Sequence, residues 1–172
     1  MTYPHPHRVV VTGMGQVSAL GIDPASFSQR LFAGEPNVSR IEGLGAPGLD
    51  HPIGAKIPGW DPKLWLTPRQ IQATSPVAQY AYAAASQAFE AARLDRSDRP
   101  RGGVFVGSGF GGLVTAEDTY RSCFTNPGMR PKPSAIPMAM ANAASGFCSI
   151  YSASCPACCL SAVSVFAESF SS

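Results

Sequence analysis

The strongest candidate for a ligand-binding motif is a glycine-rich turn, Gly107-Ser-Gly-Phe-Gly-Gly112, between an apolar run and a helical pattern. A strand, a G-x-G-x-x-G turn and a helix are typical of dinucleotide binding, because the glycines let a pyrophosphate approach the helix N-terminus. That interpretation also needs a second strand and an acidic residue about twenty positions further on. The sequence has Asn126-Pro-Gly there. We therefore favour glycines that permit close backbone packing.

A second glycine pair, Gly13 and Gly15, begins a similar pattern near the start of the chain. Ser18 stands where the third glycine is needed, and the nearest acid, Glu35, lies in a turn rich in Gly and Pro. This turn is therefore also interpreted as a packing element.

The cysteines are the other candidates for chemistry, and four of the five lie in the last part of the chain. Cys155-Pro-Ala-Cys158 has the spacing of a redox dithiol, but such a motif follows an early strand and opens a helix. Zinc requires regularly spaced ligand pairs, and the histidines are distant in sequence. We predict free thiols and no metal site. The other cysteines and the histidines are Cys123, Cys148, Cys159, His5, His7 and His51.

Composition excludes several classes of protein. The net charge of +2 without a basic cluster gives no support for nucleic acid as a partner. No apolar run approaches membrane-spanning length, and the first residues contain no signal-peptide hydrophobic region. We therefore expect a cytoplasmic protein without membrane contact.

Glu117 and Asp118 are adjacent on a predicted helix and cannot face one substrate together.

Strand and helix patterns alternate along the chain, which predicts an α/β fold with a mainly parallel sheet. Ser75 and Pro76 open the clearest helix, whose alanines recur at helical spacing and indicate burial between layers. The predicted elements are strands at 8–12, 53–57 and 103–106, and helices at 24–33, 77–94, 113–124 and 136–146, with a helical turn at 60–65.

Four segments, taken in order, resemble the N-terminal half of β-ketoacyl-acyl-carrier-protein synthases, the condensing enzymes of the thiolase superfamily. The resemblance fits most closely the chain-elongating, type II kind. The segments are Val9–Gly15 with Leu20-Gly21, Gln79–Leu94, Val104–Gly112, and Ile136–Met138 with Asn142–Gly146.

The resemblance implies the first half of an αβαβα fold, with helices on both faces of a mixed, mainly parallel sheet. It implies an acyltransferase that condenses an acyl thioester with malonyl carrier protein, through a cysteine nucleophile, two histidines and an oxyanion hole. Acyl carrier protein and a second synthase subunit, in a homodimer or heterodimer, are the implied partners, and no cofactor is implied. The residue matching Phe110 lines the acyl pocket, where it either limits chain length or acts as a movable plug.

The sequence departs from the family where the nucleophile is expected. Counting from Gly146 reaches Val165 and counting from Pro156 reaches Ser164, and neither is a cysteine, so no catalytic residue is assigned. We expect a flexible tail at 1–7, an incomplete synthase domain at 8–150 and a divergent tail at 151–172. A frameshift or premature stop is the favoured explanation, giving an inactive chain with exposed apolar surface and poor stability. The alternative is a non-catalytic partner subunit of a synthase.

Overall fold

The computed structural model describes residues 10–41, 52–93, 103–152 and 160–164 of the chain. Helices and short strands alternate along it, with a 3-10 turn at Pro62–Leu64. The helices are α1 (Pro24–Ala33), α2 (Pro68–Gln72), α3 (Pro76–Ala92), α4 (Leu113–Thr125), α5 (Ala135–Ala139) and α6 (Ala143–Ser152). The strands are β1 (Ser39–Arg40), β2 (Ile53–Gly54), β3 (Val104–Gly107) and β4 (Leu160–Ser164).

The strands form two pairs, which confirms the mixed α/β class predicted from sequence. β1 and β2 are antiparallel, whereas β3 and β4 are parallel. In the parallel pair Val104 lies opposite Leu160 and Gly107 opposite Ser164, with an irregularity of register between Val104 and Val106. Parallel strands need a long crossover connection, and here α4, α5 and α6 lie between β3 and β4 in sequence.

Helix α3 is the centre of the fold because small residues on it let its neighbours approach closely. Ala78, Ala81 and Ala85 are at most 1% exposed and share a core with residues of α6. Phe147 of α6 meets Tyr82 of α3 edge to face, with ring centroids 5.5 Å apart. The predicted burial of this alanine-rich helix between other elements is confirmed.

A second, smaller core lies on the other side of α3. Ala83 and Ala84 are buried there with Val17, and Trp60 packs edge to face on Tyr80 at 4.8 Å. Burial in this cluster raises the pKa of the Tyr80 hydroxyl above its ordinary value. The aromatic residues near the 3-10 turn are therefore packing anchors in the described part of the chain.

The segment containing Gly13 and Gly15 lies directly on the backbone of α3. A Cβ atom at Gly15 would overlap the carbonyl oxygen of Ala84 and lie 2.8 Å from the amide nitrogen of Ala88. Two glycines are required because no side chain fits between two main chains at this separation. The packing interpretation of this first glycine turn is confirmed.

A hydrogen-bonded clamp holds the next part of the same segment on α3. The side-chain amide of Gln87 donates from Nε2 to the carbonyl oxygen of Ile22 at 2.7 Å. Its Oε1 accepts from the backbone N–H of Gln16 at 3.1 Å. One glutamine thus satisfies two loop backbone groups, which would otherwise lose hydrogen bonds on burial.

Some predicted boundaries are wrong. Of the strand predicted at 8–12, the described residues 10–12 are in no strand, and Val10 and Val11 are 66% and 79% exposed. A strand needs a neighbour for its ladder, and neither described strand pair includes this segment. The strand predicted at 53–57 is limited to β2.

The helix predicted at 136–146 is divided into α5 and α6. Met140 follows α5 in an extended conformation, with ψ of 144°, which breaks the helical hydrogen-bond pattern. Gly146 was predicted to end the helix, but it lies within α6. A helical glycine is tolerated here because Ala144, Phe147 and Cys148 of the same helix are buried in the main core.

Helix α1 begins at a side-chain cap, as predicted. Asp23 Oδ1 accepts from the backbone N–H groups of Ala25 and Ser26, both at 2.9 Å. The backbone N–H of Ser26, and then its hydroxyl, hold the pKa of Asp23 below its ordinary value of 3.8. Pro24 occupies the first helical turn, where its missing N–H costs nothing.

We expect Asp23→Ala to lower the free energy of unfolding by about 1 kcal/mol at neutral pH, because two helix N–H groups lose their acceptor. A lowered native pKa stabilises the fold above the unfolded pKa, and this stabilisation is lost as pH falls through the native pKa. Urea unfolding at neutral pH and below pH 3.8 measures both effects. Asp23→Asn is the control, since it keeps the cap but should lose the pH dependence. An Asp23→Ala protein as stable as the parent at neutral pH would contradict the assignment.

Candidate functional site at the second glycine turn

The candidate site lies where β3 and β4 end side by side. Along β3, Val104 and Val106 pack against the main core, while Phe105 faces outward and is 73% exposed. The strand ends at Gly107, which pairs with Ser164, the last residue of β4. The carboxyl ends of two parallel strands are a common position for binding sites in α/β proteins.

The second half of the turn that follows β3 packs against α5. Gly111 has a φ of 58°, and a Cβ there would lie 2.7 Å from Cα of Ala141 and 2.8 Å from the carbonyl oxygen of Met140. A Cβ at Gly112 would overlap the carbonyl oxygen of Met138. These two glycines have the packing role that the sequence predicts.

The first half of the turn has a different environment. A Cβ at Gly107 or Gly109 would meet no atom within 4 Å. No described residue lies against these two glycines, so for them the packing interpretation stays a prediction. The Ser108 hydroxyl accepts a hydrogen bond from the backbone N–H of Gly111 at 2.9 Å and so braces the turn from within.

Phe110 lies in this turn and is 71% exposed. Ile136 in α5 and Met140 at its C-cap are also exposed, by 76% and 48%, and the Met140 carbonyl oxygen would lie 2.8 Å from a Cβ at Gly111. An acyl chain requires an apolar lining of this kind. The described residues do not enclose Phe110, and its place in an acyl pocket stays a prediction.

The nucleophile window falls at the end of β4. Val163 and Ser164 belong to that strand, and Ser164 lies opposite Gly107, two residues before the turn reaches Gly109. Val165 lies outside the described residues. The count that reaches Ser164 therefore falls at the end of β4 opposite Gly107, and neither Val163 nor Ser164 is a cysteine.

The other candidates for chemistry are not gathered at this turn. Cys148 is fully buried in the main core, and Cys123 is half-buried on α4. Glu117 forms an ion pair with Arg121 at 2.6 Å on the surface of α4. Among the described residues no group of His, Cys, Asp and Glu is placed to hold a metal ion. Outside these residues lie His5, His7, His51, Cys155, Cys158 and Cys159.

The contact between the turn and α5 was missed by the sequence interpretation. The backbone of Met138–Ala141 forms the floor against which Gly111 and Gly112 pack. The contact could not be predicted from a continuous helix over 136–146, because it depends on the extended backbone at Met140. The only local signal is the run of consecutive glycines. It indicates close backbone packing but does not identify the segment that packs against the glycines.

The sequence of this chain is similar to that of known proteins. A family model described as the N-terminal domain of β-ketoacyl synthase matches residues 7–163. The 3-oxoacyl-[acyl-carrier-protein] synthase 2 of Coxiella burnetii is 37% identical over 145 residues, covering 83% of this chain and 35% of that protein. The chain therefore spans about a third of the length of this relative. In the described residues no helix is long and apolar enough to cross a membrane.

Solved structures show the same fold. A β-ketoacyl synthase from Burkholderia phymatum matches with a TM-score of 0.68 at 23% identity, over 83% of this chain and 36% of that one. A type II polyketide ketosynthase, in complex with its acyl-carrier protein and bound to the hexaketide, matches with a TM-score of 0.67 at 20% identity. That match covers 83% of this chain and 38% of the other. The predicted thiolase-like fold, first part only, is confirmed.

Proposed function

The chain belongs to the β-ketoacyl synthase family, and we propose that it forms the first part of an acyltransferase that condenses acyl and malonyl thioesters in fatty-acid or polyketide synthesis. The observation that carries this proposal is the parallel pairing of Gly107 with Ser164 at the start of the turn that carries the exposed Phe110. An acyl group held on a nucleophile at the end of β4 would extend along an apolar turn. In this proposal the turn that carries Phe110 lines one side of the acyl chain.

The proposed reaction joins two thioesters. A cysteine thiolate takes the acyl group from acyl carrier protein, and malonyl carrier protein then loses carbon dioxide to give an enolate. The enolate carbon attacks the acyl-cysteine thioester, and backbone N–H groups stabilise the oxyanion that forms. Collapse of the oxyanion breaks the C–S bond, expels the cysteine thiolate and leaves the 3-oxoacyl group on the carrier protein. This chemistry needs no metal or dissociable cofactor. Acyl carrier protein and a second synthase subunit are the proposed partners, and the cytoplasm is the proposed location.

The chain alone is proposed to be inactive in this reaction. Its nucleophile window, 163–165, holds a serine between two valines. A serine hydroxyl needs an adjacent base to attack a thioester, and the sequence has no histidine after His51. Activity therefore depends on sequence beyond the span that this chain shares with the family.

A fusion tests this proposal. Residues 1–163 of this chain are followed by the part of the Coxiella burnetii synthase that lies beyond the matched span. We expect the fusion to form 3-oxoacyl product from acyl and malonyl carrier proteins, measured by mass spectrometry, and the chain alone to form none. Condensation by the chain alone, or an inactive but folded fusion, would contradict the proposal.

Phe110→Ala in this fusion tests the pocket assignment. If the ring limits the acyl chain, its removal should raise the preference for longer acyl chains roughly tenfold, the lower end of the effect of a methylene in an apolar pocket. If the ring is a movable plug, the preference should change little while the rate changes. Phe124→Ala on α4 is the control, because Phe124 is equally apolar and 84% exposed. An equal effect of both variants would remove Phe110 from the pocket.

A non-catalytic partner subunit is the second candidate, and the missing cysteine in the window 163–165 favours it. Such a subunit would bind a complete synthase and alter its product length without adding a nucleophile. Co-purification of the untagged synthase with this chain, together with a shift in product length, would support this candidate over the first.

A further inference from the structure

The second glycine turn is anchored at both of its ends. Gly107 is the last residue of β3 and pairs with Ser164 of β4. At the other end Gly111 lies on the backbone that follows α5, where a Cβ on this glycine would be 2.7 Å from Cα of Ala141. The sheet fixes one end and the α5 region fixes the other, so the conformational freedom of the turn lies in residues 108–110.

A side-chain hydrogen bond closes the turn between these two ends. The Ser108 hydroxyl accepts from the backbone N–H of Gly111 at 2.9 Å. Among the described residues no hydrogen bond between backbone groups joins residue 108 to residue 111. The serine oxygen therefore takes the place that a backbone carbonyl oxygen has in a β-turn. The ring that this bond closes contains the backbone of Gly109 and Phe110.

The position of Phe110 depends on the backbone of the turn more than on packing around its ring. The side chain is 71% exposed, so the described residues cover only a small part of it. Its neighbour Gly109 has no described atom within 4 Å of the place of a Cβ, and a glycine gives the backbone its greatest freedom. The bond from Gly111 to Ser108 is therefore the described interaction that restricts the backbone on both sides of Phe110.

We propose that Ser108 is a positioning residue for Phe110. Its hydrogen bond to Gly111 holds the Phe110 ring at one place in the turn, where the ring limits the length of the acyl chain. The effect on acyl chains rests on the proposed function, whereas the hold on the turn can be measured without it. A ring carried by a braced turn acts as a fixed wall, so the inference selects chain-length limitation over a movable plug.

Amide hydrogen exchange in the full chain, read by NMR, tests the hold on the turn. Ser108→Ala leaves the Gly111 N–H without its acceptor, and we expect its exchange to become about fivefold faster, the factor equivalent to one ordinary hydrogen bond. Ser108→Thr keeps a hydroxyl and should keep the parent rate. Ser28→Ala is the matched control, because the Ser28 hydroxyl donates to the carbonyl oxygen of Pro24 at 2.7 Å within α1. Parent-like exchange of Gly111 in the Ser108→Ala protein would overturn the proposal.

Chain-length preference in the fusion described above tests the consequence for the substrate. Ser108→Ala should raise the ratio of kcat/KM for longer over shorter acyl chains about fivefold, while Ser108→Thr should keep the parent ratio. In a protein that also carries Phe110→Ala, the serine substitution should add nothing, because the ring that it positions is gone. A serine that only stabilised the fold would lower kcat/KM for all chain lengths alike. An unchanged ratio, or the same rise with and without the Phe110 ring, would overturn the proposal.

The two measurements separate this inference from the proposed function. A folded fusion that forms no 3-oxoacyl product contradicts the proposed function, and the exchange rate of Gly111 then still confirms or overturns the hold of Ser108 on the turn. An active fusion whose chain-length preference does not respond to Ser108→Ala overturns the inference alone.

Discussion

Gly15→Ala should destabilise the fold by about 3 kcal/mol, the upper end of the usual cost of forcing an extra methyl group into a packed site. The added Cβ would overlap the carbonyl oxygen of Ala84 and lie 2.8 Å from the amide nitrogen of Ala88. Both obstacles are main-chain atoms of α3, so no rotamer change can relieve the contact. The segment that contains Gly15 must move away from α3, and the second core then loses the contact of this segment with the helix.

Urea unfolding measures this loss, and the soluble yield reports it indirectly. Gly109→Ala is the matched control, because a Cβ there meets nothing within 4 Å. That variant should be as stable as the parent or more stable by up to about 1 kcal/mol, since alanine restricts the unfolded chain. If both variants unfold at the same urea concentration as the parent, the close packing of Gly15 on α3 is refuted.

Phe147→Ala should lower the free energy of unfolding by about 4 kcal/mol, within the range for removing a buried phenylalanine. Phe147 is 7% exposed in the main core and meets Tyr82 edge to face. Its removal leaves a cavity between α3 and α6 and takes away an aromatic pair. Because domains are stable by only about 5–15 kcal/mol, such a loss brings the protein close to unfolding.

Ile150→Ala on the same helix is the control for this prediction. Ile150 is 66% exposed, so its truncation should change the unfolding free energy by less than about 0.5 kcal/mol. Thermal unfolding followed by circular dichroism separates the two variants without regard to activity. Equal stability of the Phe147→Ala protein and its parent would mean that α6 does not depend on this contact with α3.

Elements with strong local signals could be predicted from the sequence. The cap Asp23 with Pro24 marks the start of α1, and Ser75 with Pro76 marks that of α3. The start of α1 depends on hydrogen bonds from two helix N–H groups to the Asp23 side chain. Ser75 makes no side-chain cap hydrogen bond, and the start of α3 depends on its extended backbone before Pro76. The alanine spacing of α3 likewise predicts its burial, because small residues permit close helix packing.

Features that depend on distant residues could not be predicted in the same way. The pairing of Gly107 with Ser164 leaves no local pattern, since the two residues are separated by three helices. The extended backbone at Met140 divides a segment whose composition favours a continuous helix. The family resemblance implies that Phe110 lies at a pocket, but the described residues leave its side chain 71% exposed.

The parallel pairing of β3 and β4 also has a consequence for biosynthesis. During translation β3 leaves the ribosome well before β4, so this ladder forms only after the intervening helices have been made. Contacts between residues distant in sequence form slowly, because loop closure costs entropy before the contact stabilises the chain. Until then the edge of β3 and the side chain of Phe105 are open to other nascent chains. We therefore expect the yield of folded protein to depend on translation rate and chaperones, because β3 remains unpaired until β4 has been synthesised.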